Sequence, residues 1–326
     1  MRDSLKLRWV VVGGVLLCAG CESETPSDPV RVVEHDTAGT IELEVTYGIL
    51  QRAVPLRIYL PDEVSPRPLV LFSHGLGGSN QGSRYLGEHW AAHGYVAVFL
   101  QHVGSDESVW RNLPASERLT ALNGASNLRN TLNRLRDVPA VIDQLAVWSA
   151  RAGHPLEGRL DLGRIGMAGH SYGAVTTQAV SGQTQRGKAR FTDERIKAAL
   201  VLSPSAPGRG KPSEHFGEVR IPWMLMTGTR DIAVVGTQDL SARLAVFPAL
   251  PDGDKFELVF EGGEHNAFTD GASPGRERNP NHHPVILALS TAFWDAYLRE
   301  DETAEAWLKN GLVDERLEPG DRWQFK

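Results

Sequence analysis

The 326-residue chain, 41% hydrophobic, is long enough to bury one large core, and its 34 basic against 40 acidic side chains give a net charge of −6. The charges are scattered without a basic run, which argues against a nucleic-acid partner. The only cysteines, Cys18 and Cys21, sit near the amino terminus, so the rest of the chain has neither a disulfide nor a thiol nucleophile.

Taken in chain order, Arg2, Lys6 and Arg8 precede an apolar run, Trp9 to Leu17, and a small-residue segment, Cys18-Ala-Gly-Cys21. This pattern reads as an export signal rather than a membrane span, because the run is short. It resembles a bacterial lipoprotein signal, which implies removal of residues 1–20, lipid attachment at Cys21 and a place in the cell envelope, with the membrane met through that anchor alone. Residues 21–39, polar and rich in Glu, Ser, Thr, Pro and Asp near their start, suit a solvated tether.

From residue 40 to the end, short β-rich runs alternate with helical stretches, the mark of an α/β domain with a mainly parallel sheet covered on both faces. Ile41 to Tyr47 and Val54 to Leu60 predict an edge hairpin, and Pro68 to Ser73 a buried strand. A helix over 83–93, which places Leu86, Trp90 and Ala91 on one face, precedes a strand over Tyr95 to Leu100. Residues 101–137 lack a β period and read as a polar excursion near the site, before a helix over 138–151. Further strands fall at Arg164 to Ala168, Ile196 to Ser203, Pro222 to Thr227 and, as the last, Lys255 to Phe260, with a helix over 172–182 between the first two. Pro284 opens an amphipathic helix, and a short acidic helical tail ends the chain. The expected sheet has eight strands.

Gly169-His-Ser171-Tyr-Gly173 falls between a strand and a helix. A sharp strand-to-helix turn needs small residues two before and two after the serine, and it lifts the hydroxyl into the open at a helix amino terminus. A serine hydroxyl attacks only when a base takes its proton, and that base needs a carboxylate to fix its tautomer. Asp231, after the strand ending at Thr227, and His265, in the turn Gly262-Gly-Glu-His-Asn266, follow in that order. Glu264 and Asp252 compete for the acid, and His282 and His283 for the base, although the last two suit a helix start beside Pro284. His74 and His170 flank the site and are read as packing or hydrogen-bonding groups. The Gly-rich Ser73-His-Gly-Leu-Gly-Gly78 follows the third strand, and backbone N–H groups of Leu76 and Tyr172 are the expected donors to a tetrahedral oxyanion. Trp110 and Trp223 serve either the pocket or the core.

Leu71-Phe-Ser-His-Gly-Leu-Gly-Gly78, Tyr85 to Val96, the serine turn and Gly228-Thr-Arg-Asp231 together resemble the α/β-hydrolase superfamily over roughly residues 40–310. Within it the chain is similar to platelet-activating-factor acetylhydrolase-like and dienelactone-hydrolase-like serine esterases. The resemblance implies cofactor- and metal-independent hydrolysis through an acyl-enzyme by Ser171, His265 and Asp231. Ser171 stands where a dienelactone hydrolase has Cys, which turns the expectation from lactones toward short or medium acyl esters. Phospholipid, other lipid-ester or polyester substrates stay open, as does a non-catalytic surface-binding lipoprotein built on the same fold.

Overall fold

Side chains along Gly39–Tyr47 (β1) alternate between solvent and the core, and the strand pairs antiparallel with Arg52–Leu60 (β2), Val45 opposite Val54. A computed structural model of the chain describes residues 39–49, 51–185, 187–233, 235–236, 238–271 and 278–326. The expected signal, Cys21 and the tether through residue 38 lie outside the described residues.

Arg67–Ser73 (β3) leads through helix Arg84–Ala92 (α1) to Val96–Leu100 (β4), and both strands are buried runs of apolar residues, as a parallel sheet covered on two faces demands. Two helices follow, Ala115–Ala125 (α2) and Leu128–Ser149 (α3), then Leu160–His170 (β5), Tyr172–Val180 (α4) and Ile196–Leu202 (β6). Pro212–Phe216 (α5) precedes Trp223–Arg230 (β7), and the short helices Leu240–Leu244 (α6) and Val246–Ala249 (α7) precede Lys255–Glu264 (β8). His282–Leu298 (α8), Glu302–Lys309 (α9) and Arg322–Phe325 (β9) complete the chain. The sheet order is β1-β2-β4-β3-β5-β6-β7-β8-β9, with six parallel strands from β4 to β8 and antiparallel partners at each end.

Trp90, Trp294, Phe256 and Phe293 pack α1 and α8 on one face of the sheet, and Leu135, Val138, Val141 and Leu145 pack α3 on the other. A third cluster, with Phe216, Trp223 and Phe247, seats α5 and α7 against β6 and β7. Among the described residues no helix is long and apolar enough to cross a membrane.

The sheet has nine strands rather than eight. β9 has only four residues, too few for a periodic pattern, and it forms because Trp323 stacks on Phe256 with ring centroids 5.6 Å apart while β8 offers a free edge. Helix α3 starts ten residues before the expected 138, since Asn127 caps it by accepting the Asn130 N–H at 3.0 Å and Pro139 lies inside it. The 101–137 excursion is therefore largely helical.

Candidate active site

The chain runs from β3 to β4 on one side and then to β5 on the other, so the loops leaving β3 and β5 diverge and open a crevice at the carboxyl edge of the sheet. Residues 74–78 leave β3 there, Ser171 follows β5, Asp231 follows β7 and His265 follows β8.

Ser171 has φ 57° and ψ −114°, a conformation that costs a non-glycine residue about 1–3 kcal/mol and is held by its surroundings. Its N–H donates to the Leu202 carbonyl at 3.0 Å, and its own carbonyl accepts the Val175 N–H at 3.1 Å. A Cβ on Gly169 would stand 2.4 Å from the Gly173 carbonyl oxygen, and one on Gly173 would stand 1.8 Å from that of Ser73. The small residues flanking the serine are thus required by backbone contact, the second of them by the neighbouring strand.

Ser171 Oγ lies 2.8 Å from His265 Nε2, and His265 Nδ1 lies 2.6 Å from Asp231 Oδ1. With the Nδ1 proton facing the carboxylate, the Nε2 lone pair faces the serine hydroxyl. Asp231 is fully buried. Burial works against its charge, but the hydrogen bond and charge of His265 and the charge of Arg243 prevail and hold the carboxyl below its ordinary range. The other oxygen of Asp231 accepts the Thr227 hydroxyl at 2.8 Å. Arg243, buried on α6, brings Nε to 3.0 Å from Asp231 Oδ1 and ties Nη1 to the carbonyls of Ser203 and Pro204. The sequence alone did not single out Arg243.

The cleft above Ser171 measures about 400 Å³ and takes its lining from Leu76, Tyr172, Leu122 and Val175 as well as polar Gln238 and Asn266. Trp110 donates from Nε1 to the Gly77 carbonyl at 2.7 Å and so anchors the loop after β3, whereas Trp223 is a core residue that donates to the Ser181 carbonyl. His170 is buried, and its Nε2 lies 3.0 Å from the His265 carbonyl oxygen. Burial and the neighbouring His265 push His170 down to about 3, so it is a neutral N–H donor that holds the His265 turn. Asp252 lies in the turn before β8, at the opposite edge of the sheet, and Glu264 ends β8 beside His265. His282 packs on Phe260 and His283 stacks on Tyr85, so the structure brings neither to Ser171.

A second hydrogen-bonded relay lies beneath the loop after β3. Ser73 Oγ is 2.8 Å from His102 Nε2, and His102 Nδ1 is 2.8 Å from Asp137 Oδ2, all three residues being fully buried. Asp137 also accepts Arg52 through both of its oxygens, at 2.6 and 2.7 Å, and the Tyr47 hydroxyl at 2.7 Å. The available signal was on α3, where Arg134 and Asp137 interrupt a buried stripe continued by Val138, Val141 and Leu145. Charges placed on the apolar face of a helix need buried partners.

Helices on both faces of a mostly parallel sheet, with a serine turn between β5 and α4, make the arrangement of the α/β-hydrolase fold. No protein-family model matches the chain. The chain is 27% identical over 189 residues to platelet-activating factor acetylhydrolase of Cavia porcellus, a distant similarity covering 50% of this chain and 40% of that protein. The chain thus matches well under half the length of that curated relative.

Proposed function

We propose that the protein is a serine hydrolase of carboxylic esters. Ser171 Oγ attacks the ester carbonyl as His265 Nε2 takes its proton, and Asp231 stabilises the imidazolium. The N–H groups of Leu76 and Tyr172 receive the oxyanion. Collapse of the intermediate expels the alcohol, protonated by His265, and leaves an acyl-Ser171. Water, deprotonated by the same imidazole, then releases the acid and restores the serine. The observation that carries this reading is the unbroken Ser171–His265–Asp231 line at 2.8 and 2.6 Å beside an open cleft. The distant acetylhydrolase similarity favours esters among the acyl compounds such a relay can cleave. A cleft of about 400 Å³ suits short or medium acyl groups.

Nitrophenyl esters of increasing acyl length, assayed on residues 22–326 with Ser171→Ala alongside, test this. Turnover of the short members that disappears in Ser171→Ala is the expected result. Absence of both turnover and fluorophosphonate labelling would make the protein a binding module instead, and a preference for long acyl chains or phospholipid would shift the substrate class. Export and lipid attachment at Cys21 belong to the same proposal and rest on residues 2–21. Labelled palmitate should enter the full chain in a bacterial host and should fail to enter Cys21→Ala.

A further inference from the structure

Arg134 is fully buried, and every acceptor its guanidinium meets is neutral. A buried cation without a hydrogen-bonded carboxylate is costly, so its contacts indicate what it does for the fold. Nη1 donates to the His74 carbonyl at 2.7 Å and Nη2 to the Gly75 carbonyl at 3.3 Å. Nε donates to Ser105 Oγ at 2.8 Å, and the guanidinium carbon lies 4.4 Å from the ring centroid of Tyr172. In a trans peptide the carbonyl and the next N–H point in opposite directions. The Gly75 carbonyl, which Arg134 shares with His74 Nδ1 and the Gly78 N–H at 3.2 Å, faces Arg134 and so turns the Leu76 N–H away from it, while the stacked ring holds the first residue of α4.

His74 completes the clamp as a neutral group, with Nδ1 2.6 Å from the Gly75 carbonyl oxygen and Nε2 accepting the His102 N–H at 3.0 Å. The root of the loop and the helix start already meet at Ser73 and Gly173, and a side chain touching both beyond that contact can keep their N–H groups in register.

We propose that Arg134 is a positioning residue that holds the two oxyanion donors, Leu76 N–H and Tyr172 N–H, at a fixed separation over Ser171. This inference rests on the ester-hydrolase reading. The test uses Arg134→Lys and Ser105→Ala, the latter removing the Nε acceptor together with the hydroxyl's donation to the His102 carbonyl, with active sites counted by fluorophosphonate labelling so that unfolded protein does not enter the rate. Because misplacing or losing an oxyanion donor costs about 10²–10³ in rate, kcat should fall about 30- to 300-fold in Arg134→Lys with KM within about threefold. Ser105→Ala should lose about three- to tenfold, the scale of one weakened charge-assisted hydrogen bond. A trifluoromethyl ketone, which forms a tetrahedral adduct on the serine, should weaken in step with kcat/KM.

A labelled Arg134→Lys with wild-type kcat, or with a lower kcat but undiminished ketone affinity, overturns the inference. If that variant does not fold, wild-type kcat in Ser105→Ala overturns it. A wild-type protein that cleaves no ester and takes no label instead removes the ester-hydrolase reading, and the inference with it.

Discussion

Two relays in this molecule share one wiring. In Ser171–His265–Asp231 the hydroxyl lies 2.8 Å from imidazole Nε2 and the carboxylate 2.6 Å from Nδ1, and in Ser73–His102–Asp137 both distances are 2.8 Å. Ser171 stands at a strained turn in an open cleft, with His265 16% exposed. Ser73 ends strand β3 and is sealed from solvent with both of its partners. The buried carboxylate accepts from β1, from β2 and from the loop after β4, so that relay staples the edge hairpin to helix α3. Its imidazole is pushed down to about 4, burial and the nearby Arg134 outweighing Asp137. The difference lies in access and backbone conformation, not in the wiring, which is the same in both. On the proposed reading, attack by the serine also needs an accessible oxygen and N–H groups aimed at the charge that forms.

The largest effect should separate the two serines. Ser171→Ala should lower turnover by about 10⁶-fold and abolish fluorophosphonate labelling, whereas Ser73→Ala should still be labelled at Ser171, as mass spectrometry of the labelled peptide will show. Labelling at Ser73 would break the comparison. Asp231→Asn, which leaves the imidazole in the wrong tautomer, should lower kcat about 10⁴-fold, and because it also takes the carboxylate from buried Arg243 it should lower the urea midpoint as well.

The matching change in the other relay should act on folding. Asp137→Asn strands the Arg52 guanidinium and should cost about 3–5 kcal/mol in urea unfolding while folded molecules remain labelled. A further effect is expected with acid. His89 and His170 are lowered to about 3 and His102 to about 4 by burial, so the unfolded chain takes up protons first as pH falls below the ordinary 6.5. Stability contributed by these neutral imidazoles is whole above 6.5 and drains as pH falls toward about 3. Asp137 extends the loss from 3.8 toward about 2, because bonds from Arg52 and His102 hold its carboxyl low against the effect of burial. A urea midpoint that stays constant between pH 6.5 and 4 would contradict this.

The strand-to-helix turn at Ser171 was legible in the sequence because both small residues it needs lie within five consecutive positions. The Gly173 carbonyl leaves no room for a Cβ on Gly169, a local cause, whereas the Ser73 carbonyl of β3 is what excludes one on Gly173. The parallel strands were legible for a similar reason, each being a short apolar run closed by turn residues, and the places of Asp231 and His265 followed from the strands before them. Helix α3 was partly hidden, since Pro139 resembles a helix start and the capping Asn127 lies in a polar stretch.

By itself the sequence determined the alternation of strands and helices and the residues standing at the strands' carboxyl ends. Only the tertiary structure decided that β9 closes the sheet, that Arg243 reaches Asp231 from α6, and that Arg134 and the Ser73–His102–Asp137 relay lie beneath the loop after β3. The physical reason is range. Hydrogen bonds such as those from Tyr47 and Arg52 to Asp137 join residues 90 and 85 apart and leave no periodic trace, whereas steric limits on neighbouring peptides appear wherever the chain must turn.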